Sequence, residues 1–188
     1  MKYIIHVCSS QELVDFLDRY RKDNEHMVTG IPGLTHCTLA VIRSDEKCEE
    51  DLVKSLEGIV RAPFEISVSG KLDLFDENSL VARVNPSTPL LQLHNRVIAK
   101  AKPFISWEET PPLSERYHND EDRSIIYSMY GSPYVAEFYN PHITIAEVNP
   151  SKVTSLDNIP VYSWSCVEFF VSRKTSAWQT VKSFPLRE

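Results

Sequence analysis

Short segments of alternating apolar and polar residues predict β-strands along most of the chain. We expect strands at residues 3–8, 64–68 (continuing through Leu72 and Leu74), 80–84, 166–171 and 178–184. Asp76, Glu77 and Asn78 separate two of these strands and are typical of a hairpin turn. The last two strands are expected to form a second hairpin that closes the chain.

Helical periodicity appears between the strands. Ser9 and Glu12 form a capping-box signature, and apolar residues then recur at helical spacing: Leu13, Phe16, Leu17 and Tyr20. The acidic run at 45–51 suits a helix N-terminus by its charge, and its helix continues with Leu52, Val53, Leu56, Ile59 and Val60. Asn149 to Ser151 is expected to start a further short helix.

A third long helix has the strongest signal. Thr88 is the expected N-cap, and Pro89 suits the first helical position because its missing N–H needs no partner there. The apolar stripe that follows consists of Leu90, Leu93, His94, Val97, Ile98 and Ala101. The pattern therefore predicts a helix packed on one face.

Residues 103–133 interrupt this regular pattern. The segment carries Pro103, Pro111 and Pro112, followed by a charged run at 114–123 with little periodicity. We expect a long loop that ends in a short strand near residues 125–130. Long loops in compact domains often serve as lids or binding loops.

One five-residue pattern occurs twice, as His36-Cys37-Thr38-Leu39-Ala40 and His142-Ile143-Thr144-Ile145-Ala146. Both copies have the composition of strand cores. Since side chains alternate along a strand, each His shares a face with its own Thr, while the residues between them point into a core. Two imidazoles and two hydroxyls on matching strands are groups that can handle a phosphate without a metal ion.

The order of elements predicts the fold class. The two motifs lie 106 residues apart, and similar runs of strands and helices surround each of them. Strands paired by hairpins, with helices on one side, indicate an α+β protein with antiparallel sheet. We therefore expect one bilobal domain over residues 1–188. Its two pseudo-symmetric lobes would each consist of antiparallel sheet with flanking helices.

Composition narrows the class of protein. The 188 residues are 42% hydrophobic and 24% charged, as in ordinary globular proteins, and they contain no run long enough to cross a bilayer. No secretory signal is recognisable at the start. Four cysteines without C-x-x-C spacing favour buried, reduced thiols and hence the cytoplasm. The net charge of −6 argues against coating of long nucleic acid, but not against binding a small nucleotide or an RNA end.

At this point the sequence resembles the 2H phosphoesterase superfamily, which includes bacterial RNA 2′,3′-cyclic phosphodiesterases (2′-5′ RNA ligases) and plant cyclic phosphodiesterases. The family has two H-x-[ST]-h motifs, where h is hydrophobic, and both are intact here. The second motif lies within Tyr139-Asn140-Pro141-His142-Ile143-Thr144-Ile145-Ala146, which is close to the family form. The 103–133 segment is longer than in compact bacterial members. The resemblance implies motifs that face each other across a cleft and hydrolysis of cyclic or 2′-5′ phosphodiesters without metal or cofactor.

The residue types suit that chemistry. Histidine is able to give or take a proton near neutral pH, so one neutral and one protonated imidazole can serve an in-line displacement at phosphorus. We therefore expect His36 and His142 to be the catalytic acid and base, in an order that the sequence leaves open. Thr38 and Thr144 are expected to bind the phosphate. Tyr134, beside Pro133, is a candidate for stacking on a base.

Two other functions remain open. A nucleotide-binding module could use the same cleft without turnover, and a metal-dependent hydrolase could use the two histidines as ligands. The second is disfavoured because no H-x-H, H-x-x-x-H or carboxylate cluster completes a metal site. Of the remaining histidines, His94 lies on an apolar helical stripe and is expected in the core. His6 is expected to face either the cleft or the core.

Overall fold

A single antiparallel sheet organises the computed structural model, which describes residues 1–59, 61–156 and 158–187. Within these ranges it has nine strands: β1 Lys2–Cys8, β2 Val28–Gly30, β3 His36–Arg43, β4 Phe64–Phe75, β5 Ser79–Val84, β6 His142–Val148, β7 Ser163–Cys166, β8 Glu168–Lys174 and β9 Trp178–Pro185. The same ranges contain four α-helices: α1 Gln11–Asp23, α2 Glu49–Glu57, α3 Thr88–Ala101 and α4 Glu121–Tyr130. The expected α+β class is confirmed.

The strand order divides the sheet into two similar halves. It reads β7-β4-β5-β6-β3-β1-β8-β9, with β2 paired to the outer part of β6. Four strands thus lie on each side of the β3–β6 junction, and the two His-x-Thr strands are the central neighbours. This arrangement agrees with the expected pair of antiparallel lobes.

Helices α1 and α3 pack on the sheet near its centre. Arg21 of α1 donates a hydrogen bond to the carbonyl of Ile145 in β6 (2.7 Å), and His94 of α3 is bonded to the carbonyl of Leu39 in β3 (2.6 Å). The whole apolar stripe expected for α3 is buried. Helix α1, which follows β1, therefore supports the central strand β6 of the other half of the sheet. Helix α3, which follows β5, supports the central strand β3 in the same way.

Both helix caps lie one residue from the expected position. The Ser10 hydroxyl, not Ser9, accepts the hydrogen bond from the Leu13 amide at the start of α1. The Ser87 hydroxyl caps α3 in the same way, so Thr88 is the first helical residue. Adjacent hydroxyl residues have similar capping propensity, and only the backbone path decides which one is used. In the second helix, α2 ends at Glu57, and Val60 lies outside the described residues.

The strand expected at 125–130 is wrong, because these residues form the last part of α4. The Asp120 carboxylate caps the helix by accepting from the Arg123 amide at 3.0 Å. Gly131 ends it in the left-handed conformation, with φ of 64°. These two end signals outweigh the strand preference of the β-branched and aromatic residues between them.

The two expected hairpins are confirmed. The β4–β5 hairpin turns at Asp76 and Glu77, and the β8–β9 hairpin closes the chain. Asn149 starts only a 3-10 turn, at Pro150–Lys152. All four cysteines are free thiols, and two of them are buried. No helix among the described residues is both long and apolar enough to span a bilayer.

Candidate active site

The two motifs meet where β3 and β6 pair. Cys37 and Ile143 are partners in this antiparallel ladder. Together with Leu39 and Ile145 they are at most 1% exposed, so their side chains fill the core beneath the sheet. The alternating residues of both motifs must therefore lie on the opposite face.

That face carries the four candidate residues. Counting outward from the Cys37–Ile143 pair sets Thr38 across from His142 and His36 across from Thr144. All four side chains are half-buried. Directly opposed residues lie about 5 Å apart and diagonal ones about 7–8 Å. The register thus brings together all four predicted site residues of the two motifs, with each histidine beside the threonine of the other motif.

Both imidazoles are held in the same way. Nδ1 of His36 is 2.8 Å from the carbonyl oxygen of Leu34, and Nδ1 of His142 is 2.8 Å from that of Asn140. A carbonyl oxygen only accepts, so Nδ1 of each ring carries the proton and donates it. No described residue is hydrogen-bonded to Nε2 of either ring. In each histidine, Nε2 is therefore the nitrogen that is free to exchange a proton with a ligand.

The surroundings disfavour the charged form of both histidines. Burial lowers the pKa of His36, and the nearby His142 lowers it further, while the bond to its carbonyl acts in the other direction. Burial also lowers the pKa of His142, with a further lowering from Arg83, its cross-strand partner in β5. Neutral imidazoles therefore dominate near pH 7 in the free protein, and protonation of one disfavours protonation of the other.

A third histidine packs against the first motif. His6 pairs with Thr38 across the sheet, is 1% exposed, and lies with its ring centroid 5.1 Å from that of His36. Its Nε2 is 3.0 Å from the Ser172 hydroxyl, and its Nδ1 has no partner among the described residues. Burial lowers its pKa to about 3. Of the two orientations that the sequence left open, the side chain of His6 lies on the face that carries Thr38, where it is almost completely buried.

Tyr139 links the segment before the second motif to the first motif. Its hydroxyl donates to the carbonyl of Thr38 at 3.0 Å, and its ring stacks on His94 with centroids 3.7 Å apart. His94 is 1% exposed, as expected for a core residue, and its Nε2 accepts the amide of Ala136 at 3.1 Å. Sequence reasoning did not identify this supporting role of Tyr139. The position of the tyrosine just before Asn-Pro-His was the signal that could have found it.

The 103–133 segment and the residues after it form one wall of the cleft. A cavity of about 160 Å³ is lined by Thr38, His142, Phe75 and Tyr134, among others. Tyr134 lies with its ring 5.1 Å from Phe75, and its hydroxyl is bonded to the Asp76 carboxylate at 2.9 Å. The structure thus places Tyr134 at the motifs. Its ring faces the cleft, while its hydroxyl ties the wall to the β4–β5 turn.

Metal ligands are not grouped in the described part of the chain: no cluster of three or more His, Cys, Asp or Glu side chains there could hold an ion. The arrangement at the motifs instead offers two proton-exchanging nitrogens and two hydroxyls on one face of the sheet, and His142 and Thr38 line the cavity there. Such a set can remove a proton from water, protonate a leaving oxygen and bind the oxygens of a phosphate.

Comparison with solved structures agrees with the fold. Escherichia coli LigT complexed with 3′-AMP superposes with a TM-score of 0.69 at 15% identity, over 100% of this chain and 98% of LigT. A crystal structure described as a phosphoesterase gives 0.68 at 16% identity over the same shares. Kluyveromyces marxianus Usb1 with uridine monophosphate gives 0.53 at 12% identity, covering 98% of both chains.

Sequence comparison then gives the family. No curated protein sequence matches the chain. A family model does match it, over residues 9–173, and this range includes both His-x-Thr motifs and the wall that carries Tyr134. Since that match covers most of the chain, the protein belongs to the 2′-5′ RNA ligase superfamily, the 2H phosphoesterase group that its two motifs resemble.

Proposed function

We propose that the protein is a metal-independent phosphodiesterase that hydrolyses a 2′,3′-cyclic or 2′-5′ phosphodiester of a small nucleotide or RNA end. Membership of the superfamily supports phosphodiesterase-type activity in general. One observation carries the finer proposal. His36 and His142 lie on the same face of neighbouring strands, and both bind a backbone carbonyl through Nδ1, which leaves both Nε2 atoms without a hydrogen bond to a described residue.

The reaction follows from two different protonation states. The neutral histidine takes a proton from water through Nε2, and the resulting hydroxide forms a bond to phosphorus. The P–O bond on the far side breaks, and the protonated histidine gives its Nε2 proton to the departing sugar oxygen. The products are a phosphomonoester and a free hydroxyl. Exchange with solvent then restores the original protonation of both rings.

Thr38 and Thr144 would bind the non-bridging oxygens of the phosphate. Each threonine lies opposite the histidine of the other motif, so a phosphate between the two imidazoles is within reach of both hydroxyls. Hydroxyl donors that are already positioned stabilise charge as it develops on those oxygens. Tyr134 would contact the base through the face of its ring, since its hydroxyl is engaged by Asp76.

The neighbours support a nucleotide ligand. Solved complexes of LigT contain 3′-AMP, ATP or NADP+, and that of Usb1 contains uridine monophosphate. We propose that this cleft also takes a nucleotide. The four free thiols support the expectation that the protein works in a reducing compartment such as the cytoplasm.

The test is turnover of 2′,3′-cyclic nucleotides and a 2′-5′ linked dinucleotide in EDTA. His36→Ala and His142→Ala should each lower turnover by about 10²–10⁴-fold, because each removes one proton-transfer group. His118→Ala, which removes an exposed histidine of the 103–133 segment, is the matched control. Full activity in both active-site variants would refute the two-histidine mechanism. Calorimetric binding of nucleotide without turnover would favour a binding module instead, and loss of activity in EDTA would favour a metal-dependent hydrolase.

A further inference from the structure

Three cations lie side by side on the lobe that carries the first motif. Arg43 of β3 pairs with Lys2 of β1, and Lys2 pairs with Lys174 of β8. Trp178 of β9 is the next partner in line, and both ammonium groups lie over its ring, at 5.7 Å for Lys2 and 5.3 Å for Lys174. We call Arg43, Lys2 and Lys174 the basic row.

The basic row is not neutralised within the described residues. None of its three members forms an ion pair there, whereas the adjacent Arg173 is bound by the Glu49 carboxylate at 3.2 Å. Like charges directly opposite in a sheet repel one another. The pKa of Lys2 is lowered by burial, and also by Arg43 and Lys174. In a chain of net charge −6, the two lysines gain contact with one aromatic ring, but no member of the basic row has a carboxylate partner among the described residues.

The basic row and the motifs share one face of the sheet. Thr38 and Arg43 are five residues apart, which in a regular strand would put them on opposite faces. The β1–β3 register shifts here, because Ile5 pairs with Ala40 and His6 with Thr38. The extra residue in β3 restores the common face.

Two adjoining cavities lie between the motifs and the basic row, and we call them together the groove. Lys2 and Arg43 line a cavity of about 300 Å³, and no carboxylate of the described residues lines it. Val41, Ser132 and Tyr134 line both this cavity and the smaller one at Thr38 and His142, so the two adjoin. The wall opposite the sheet is apolar and aromatic, formed by Pro111, Pro112, Leu113, Tyr117 and Tyr127.

A second, larger cavity, which shares Phe75, Tyr139 and Asn140 with the cavity at the motifs, has a different character. It measures about 540 Å³ and contains three arginines, but also the carboxylates of Asp76, Glu77 and Glu137. Its charges balance within the protein, since Arg116 pairs with Asp76 and Arg83 with Asp73. An additional anion would therefore bind more favourably in the groove toward the basic row than in this larger cavity.

We propose that the basic row is a second phosphate subsite, and that the substrate is an oligonucleotide whose terminal phosphodiester lies at the motifs while the phosphodiester two linkages away binds at the basic row. This inference rests on the proposed function for the identity of the reacting end. The His6–Thr38 and Lys2–Arg43 pairs are four β1 residues apart, which corresponds to about 13 Å along the sheet. Adjacent phosphates of an oligonucleotide cannot span this distance, so the second phosphate lies two linkages from the reacting one. The intervening bases would stack on the aromatic wall.

The first experiment compares two substrates. Turnover is measured for a 2′,3′-cyclic mononucleotide and for a trinucleotide that ends in the same cyclic phosphate, at several salt concentrations. In the Lys2→Gln/Lys174→Gln variant, kcat/KM for the trinucleotide relative to the mononucleotide should fall about tenfold. Its log–log salt slope should shrink by about 0.7 for each phosphate that the variant no longer neutralises. Lys182→Gln is the matched control, since Lys182 is exposed on the same hairpin but lines a different cavity, with Glu57.

A binding measurement separates the two proposals. Fluorescence anisotropy follows a labelled trinucleotide with a 3′-phosphate on a background of His36→Ala, with and without the two Lys→Gln changes. Weaker binding of the trinucleotide after the Lys→Gln changes supports the subsite, whether or not the wild type shows turnover. Absence of turnover in the wild type would overturn only the proposed function. Two results would overturn the subsite. One is the same ratio of kcat/KM values for the two substrates in the wild type and the Lys→Gln variant. The other is a binding curve in anisotropy that the Lys→Gln changes leave unchanged.

Discussion

Acidification should destabilise this protein through two buried histidines that serve no proton-transfer role in the proposed reaction. His94 and His6 are each 1% exposed, and burial lowers their pKa values from 6.5 to about 4 and about 3. In the unfolded chain both regain ordinary values. The unfolded state therefore takes up protons first as the pH falls below about 6.5, and stability decreases until the folded pKa of each histidine is reached.

The size of the loss in stability follows from how far the pH lies below the pKa of an unfolded histidine. At pH 5 an unfolded histidine lies about 1.5 pH units below its pKa, which corresponds to about 2 kcal/mol at 1.36 kcal/mol per unit. His94 and His6 together should therefore remove about 4 kcal/mol from the free energy of unfolding between about pH 7.5 and pH 5. This is a large part of the roughly 5–15 kcal/mol that is typical of a domain. Carboxylates begin to titrate below this range, so pH 5 is the lower limit of the measurement.

Urea denaturation at about pH 7.5, 6.5, 5.5 and 5.0 measures the loss directly. His94→Gln should recover about 2 kcal/mol of it, the share of one buried histidine at pH 5, since an amide is able to donate to the Leu39 carbonyl and accept from the Ala136 amide without titrating. His118→Gln changes the histidine count at an exposed site and separates burial from composition. The reasoning is refuted if wild-type stability changes by less than about 1 kcal/mol over this window, or if His94→Gln follows the wild-type pH dependence.

Three further predictions concern the site and its supports. Because the pKa values of His36 and His142 are both lowered, the proposed acid–base pair should give a bell-shaped kcat/KM profile with its maximum below about pH 6.5; a maximum above about pH 7.5 would contradict the pairing. Tyr139→Phe removes the donor to the Thr38 carbonyl and should lower the free energy of unfolding by about 1 kcal/mol in urea, a loss that unchanged stability would exclude. Glu77→Gly should raise the free energy of unfolding by up to about 1 kcal/mol, since the exposed Glu77 has φ of 67° in the β4–β5 turn and glycine adopts this conformation without strain. Equal or lower stability in urea would show that the glutamate side chain stabilises the fold by more than its backbone strain destabilises it.

The local sequence pattern was sufficient to predict the elements in which apolar residues recur at a regular spacing. The α3 stripe, the β4–β5 hairpin and the two motif strands all follow from spacing that the fold preserves. The expectation of a strand at residues 125–130 failed for a related reason. Ile125, Ile126 and Tyr127 have strand propensity, but the helix is defined by its ends at Asp120 and Gly131. End signals are single residues, and they are weak until the rest of the chain holds them in place.

The supporting groups of the site depend on contacts that no local pattern contains. His94 could be placed in the core from its helical stripe, but its bonds to Leu39 and Ala136 join three distant parts of the chain. The basic row has the same origin. Lys2, Arg43 and Lys174 are ordinary residues when taken singly, and only the pairing of β1 with both β3 and β8 sets them side by side. Strand order and register are the information that the sequence alone did not supply.

The repeated His-x-Thr motif explains the proposed chemistry more readily than it explains the direction in which the substrate binds. His36 and His142 are held alike by carbonyls two residues earlier, so the two motifs by themselves do not distinguish the ends of a bound phosphodiester. Their surroundings do. The groove from Thr38 ends at cations that have no ion-pair partner among the described residues, whereas the larger cavity holds three carboxylates beside its three arginines. In the proposed reaction an oligonucleotide would therefore lie in one direction only, and the groups outside the duplicated motifs would decide which histidine protonates the leaving oxygen.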